Sequence, residues 1–203
     1  MSIRKWILGA ILVAGIASAF KPDGSTPAQP SAPAPPPVKP MAPHEREVLI
    51  KRATSGLHVT RDKIEKTSFF SANKSTKPRT TVAAYLAIGD TGPVHLRAVA
   101  DYSGRRWIFV KAIKVMADDE IVLEREVKRA DIRRDNGSDW VIENFDIPAD
   151  LQTFIALQTI AASKSATVRY IGKDRYHDHH VTEQERTNLR RVLDAYAASG
   201  GLR

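Results

Sequence analysis

Residues 177–180 read His-Asp-His-His, the densest run of metal-ligating side chains in a chain of 203 residues with six histidines and no cysteine. On an extended strand, side chains two apart share a face, so His177 and His179 can both reach one metal ion, with imidazole nitrogens about 2.0–2.1 Å from it. A stable zinc site needs a third ligand and usually a fourth. No His-Glu-x-x-His spacing supplies them, and His58 and His95 lie far away along the chain. The plainer reading is a polar connection whose histidines face water. The sequence therefore predicts no metal and no cofactor, with a metal-dependent hydrolase using His177 and His179 as the alternative.

Other reaction chemistries find no assembled set. Without cysteine there is no disulfide framework, thiolate metal site, cysteine nucleophile or acylated cysteine. There is no Gly-x-Ser-x-Gly elbow, and Ser138, Ser163 and Ser165 occupy turn or helix-end contexts where a hydroxyl ordinarily caps backbone. Asp118, Asp119, Glu120, Glu124, Glu126 and Glu143 alternate with Lys and Arg, as on a solvated sheet face. They do not suggest the paired carboxylates of glycoside cleavage. No glycine loop suited to phosphate follows a strand. The expectation is a protein that is not an enzyme.

Aromatic residues offer contact area with a polar handle, which partner surfaces use. Tyr170 sits beside Arg169 on an expected strand, and Tyr176 sits in a loop between Arg175 and His177. Tyr170, Tyr176, His177 and His179 are thus the candidate binding residues. Trp107 reads as core because its neighbours are apolar, and Trp140 follows a turn.

The elements that position these residues begin with a short helix over 44–55. From Thr80 the period becomes two: strands are expected over 81–88, 94–102, 106–116, 120–127 and 139–145. The 106–116 run is apolar on both faces, which places it mid-sheet. Asn136-Gly137 suits a type I′ hairpin turn, and short connections imply antiparallel neighbours in a meander of four to five strands. A helix follows over 148–163 with Leu151, Phe154, Ile155, Gln158 and Ala162 as its stripe. After a strand over 167–171, Thr182-Glu183-Gln184-Glu185 matches a capping box and opens a last helix with Leu189, Val192, Leu193 and Tyr196 inward. The fold class is α+β, with two C-terminal helices on one face of the sheet.

Ahead of this single domain (44–203) stand two other regions. Arg4 and Lys5 precede an apolar run from Trp6 to Ala17 and the small residues Ala17-Ser18-Ala19, the pattern of a signal peptide over 1–19 cleaved after Ala19. Retention of residues 6–20 as an inner-membrane anchor is the alternative, and the run is short of the about 20 apolar residues a span needs. Either way the body lies outside the cytoplasm, periplasmic or secreted. Residues 20–43 hold nine of the twelve prolines and are expected to form a disordered, extended linker. The net charge of +8 is spread along the chain, where nucleic-acid binders concentrate theirs on one face, so nucleic acid is an unlikely partner.

The run Ala166 to Gly172, then Tyr176-His177-Asp178, then Thr182 to Glu185 leading into Leu189 and Val192 to Tyr196 resembles the end of a family of uncharacterised small bacterial and phage-encoded proteins, secreted or lipid-anchored. The Trp107 strand and the Asn136-Gly137-Ser138 hairpin are similar as well, so the resemblance spans about Lys63 to Gly201. It implies an extracytoplasmic domain and brings no catalytic residues. The combined expectation is a non-enzymatic binding module on a proline-rich spacer, with a protein or cell-envelope component as partner.

Overall fold

The computed structural model describes residues 41–74 and 79–201. The expected signal peptide, its cleavage point at Ala19 and the linker up to residue 40 lie outside the described residues. Among the described residues three α-helices, α1 (Pro43–Ala53), α2 (Leu151–Ala162) and α3 (Glu183–Ala198), accompany ten strands. The strands are β1 (His58–Asp62), β2 (Thr67–Ser71), β3 (Thr81–Gly89), β4 (Val94–Gly104), β5 (Ala112–Ala117), β6 (Glu120–Glu126), β7 (Ile132–Asn136), β8 (Val141–Pro148), β9 (Ala166–Ile171) and β10 (Tyr176–His180).

The class is α+β, as expected, but the strands divide between two antiparallel sheets instead of one meander. The larger has the order β1-β2-β3-β4-β8-β7 and the smaller β10-β9-β5-β6. Period-two burial on β3, β4 and β8 gives the larger sheet one apolar face. Leu86, Ala98 and Phe145 on that face join Val115 and Val168 of the smaller sheet and Ile160, Leu189 and Val192 of the helices in one core. Full burial of a residue such as Leu86 contributes roughly 1.5–3 kcal/mol.

Several local expectations change. The run from Arg106 is not strand until Ala112, and residues 107–111 are irregular. The type I′ geometry falls at Asp118-Asp119, both at positive φ (44° and 69°) between β5 and β6. Asp118 fits there because its carboxylate also accepts from the Lys164 and Ser165 amides. Asn136 instead remains paired with Val141, leaving a four-residue loop closed by Gly137 N–H donating to Trp140 O (3.0 Å). Gly137 is needed because the Trp140 indole lies over it: a Cβ would come within 2.3 Å of Nε1.

Helix α2 starts after Asp150, whose side chain caps Thr153 N, and not at Pro148, which ends β8. It buries Ala156, Leu157, Ile160 and Ala161, while Leu151, Ile155, Gln158 and Ala162 of the expected stripe are exposed and Phe154 is half-buried. The helix is apolar nearly all round, so spacing alone does not select its inner face. Glu143, expected on a solvated face, is 1% exposed.

Candidate functional site

Glu143 is the anchor of an unusual surface. From the inner face of β8 its Oε1 accepts the Ile108 and Phe109 amides (2.8 and 2.7 Å), and its Oε2 accepts the Val110 amide and Arg134 Nε (2.9 and 3.0 Å). A buried charge is tolerable only with such complete pairing. Three consecutive amides converging on one carboxylate force residues 108–110 out of a strand ladder.

Further contacts hold this segment. The Tyr102 hydroxyl donates to Arg106 O (2.9 Å), and Lys111 N–H donates to Ile171 O (2.8 Å). Gly172 lies beneath it, where a Cβ would come within 2.0 Å of Ile108 O. Ile108 and Val110 are buried as plugs into the core, and the residue between them is turned outward. That residue is Phe109, at φ 57° and 55% exposed. A bulky side chain at positive φ is a genuine outlier, and strain of this kind persists only where the surroundings over-determine it.

Phe109 lies nearly parallel to the half-buried Trp107, centroids 5.9 Å apart at 22°, with the Arg134 guanidinium 5.7 Å from its ring centre. Beside them an open hollow of about 470 Å³ is lined by Arg105, Trp107, Asn136, Ser138, Asp139 and Trp140. Flat rings flanked by guanidinium, amide, hydroxyl and carboxylate groups have the composition of a recognition surface, where Trp and Arg dominate binding energy.

The residues singled out in the sequence take other places. Tyr170 is 1% exposed, its hydroxyl donating to Thr81 O (3.1 Å), and burial pushes its pKa well up. His177 packs on the Tyr102 and Tyr170 rings (5.2 and 6.4 Å), and burial holds its pKa below the usual histidine value. His179 Nε2 stands 3.0 and 3.1 Å from the Glu185 oxygens; since a carboxylate only accepts, Nε2 is the donor. Any metal at His179 Nε2 would have to displace that bond. Among the described residues no group of three or more His, Asp or Glu side chains is arranged to hold a metal ion.

Tyr176 alone of the four is well exposed, at 61%, with Arg169 stacked 4.2 Å over its ring and Asp178 pairing Arg169 through two hydrogen bonds. The four therefore do not form one site. Trp107 is half-buried, partly as expected, but it borders the outward-facing platform. Phe109 was hidden by the alternating pattern of its neighbours, and the one signal available was Glu143, an acid at an inward position of β8. Searches of family models, curated proteins and solved structures return no match to this chain.

Proposed function

We propose that this protein is a non-catalytic binding module working outside the cytoplasm, which docks a partner protein or envelope component through the Trp107/Phe109 face. The observation that carries this reading is Phe109 itself, held at φ 57° with more than half of its surface in water. Folding gains nothing from exposing an apolar ring on strained backbone, so the arrangement is best understood as serving contact with another molecule. The Arg4–Ala19 leader and the proline-rich stretch after it support display of the domain beyond the inner membrane.

A photo-crosslinking amino acid placed at position 109 of the full chain, in the native cell, tests this. A discrete adduct is expected from position 109, absent from a control at Ile64, which is 88% exposed in the β1–β2 turn, and lost in Trp107→Ala. No adduct, or the same adducts from both positions, would overturn the assignment.

A further inference from the structure

A second concave surface lies on the solvent side of the larger sheet and shares no residue with the aromatic platform or its hollow. Strand β2 pairs with β3 only over Tyr85–Gly89, so Thr81–Ala84 has no strand on that side among the described residues. The gap opens into a cleft of about 410 Å³ that reaches Glu185 and Asn188 on α3. Ala83 and Val99, paired across β3 and β4, are small and give the cleft its depth. Phe69 and Tyr85 form one wall, rings edge to face with centroids 6.0 Å apart.

The charges are distributed unevenly. Asp146 accepts from the Tyr85 hydroxyl (2.8 Å) and Arg97 Nε (2.7 Å), so that network is closed on itself. Glu185 is occupied by Thr81, Val82, His179 and Thr182. Among the described residues Asp101 accepts one hydrogen bond, from the Asn144 amide to Oδ1. Burial pushes its pKa up to about 6, against the hydrogen bond from Asn144, with Asp146 adding to the rise and nearby Arg79 opposing it. Among the described residues neither Asp101 nor Arg79 is in an ion pair.

We propose that this cleft binds a small zwitterion of the α-amino-acid class, its ammonium on Asp101, its carboxylate on Arg79, and its side chain over Ala83 and Val99 against Phe69 and Tyr85. A simple anion entering the cleft would face Asp101, and a simple amine would face Arg79. Only a ligand carrying both charges satisfies both groups. Apolar and aromatic lining with a few convergent polar groups is the ordinary composition of a small-molecule site.

The test is titration of the full chain with each of the twenty L-amino acids at pH 7.5, read by backbone amide NMR shifts. The tightest binder is then compared with its N-acetyl and carboxamide derivatives. Saturable binding of at least one amino acid is expected, with either blocked derivative weaker by on the order of tenfold or more. Asp101→Asn and Arg79→Ala should each weaken binding, while Phe109→Ala leaves it unchanged. Retained melting behaviour of each variant establishes that it is folded. No saturable binding by any amino acid, equal binding of a blocked derivative, or undiminished binding by Asp101→Asn would overturn the proposal.

Discussion

Asp101 illustrates how a single carboxylate can work against the fold that holds it. Its pKa of about 6 in the folded protein lies above the ordinary value of 3.8, so between those limits the native state binds the proton more tightly than the unfolded chain does. Its contribution therefore falls as pH rises through that window, and at neutral pH the ionised group costs on the order of 2–3 kcal/mol. Asp101→Asn should accordingly melt higher than the parent at pH 7.5, and the difference should vanish by pH 4. The comparison is made at each pH because His177, whose pKa is depressed by burial, opposes Asp101 over part of the same window. A lower melting point of the variant at pH 7.5 would refute the argument. Phe109 makes a related point through backbone strain. Removing an ordinary core aromatic costs about 3–5 kcal/mol, as expected for Phe145→Ala. Phe109→Gly instead loses an exposed ring and relieves a positive φ, so urea denaturation should show a change within about 1 kcal/mol. A loss comparable to that of Phe145→Ala would mean that the ring serves the fold.

At the scale of elements, the start of α3 is the clearest case of local sequence setting structure. Thr182 and Glu185 form the reciprocal capping box that their spacing predicts, and Glu185 also reaches Thr81, Val82 and His179. Burial by itself would raise the Glu185 pKa; the hydrogen bonds from His179, Thr81 and Thr182 overcome it and hold the carboxyl at about 2. A depressed carboxylate stabilises above its unfolded value of 4.5 and loses that stabilisation as pH falls toward 2. Glu185→Gln should therefore be less stable by about 1–3 kcal/mol at pH 7, the gap closing on acidification to about pH 2, as thermal melts across that range would show. Helix α1 and strands β3, β4, β6 and β9 were equally legible, because their patterns are carried by neighbouring residues. Other elements were not. Strand β1 has no buried residue to mark it, β2 is only half-buried, and residues 107–111 look like strand until a carboxylate 33–35 positions away takes the amides of 108–110.

For the whole molecule, short turns correctly announce antiparallel neighbours but cannot say where one sheet ends and another begins. The division comes after Gly104, where the chain leaves β4, passes over Glu143 and Gly172, and joins β9 through β5. Each partner in that passage is remote in sequence, and for the same reason the aromatic platform was invisible while the histidine run was conspicuous. The proposed export of the chain rests on its first nineteen residues. Arg4 and Lys5, twelve apolar or glycine residues and Ala17-Ser18-Ala19 follow the tripartite pattern of a signal peptide, and on that pattern we propose export and cleavage. The apolar run falls short of the about 20 residues a bilayer span needs, which is why we propose cleavage over anchoring. Intact mass measurement of the protein recovered from its native cell should give a chain beginning at Phe20, found in the extracytoplasmic fraction. A chain still beginning at Met1 in the membrane fraction would support the anchored alternative. The same chain free in the cytosol would remove the extracytoplasmic part of the proposed function, while the Trp107/Phe109 face would then have to meet a cytosolic partner.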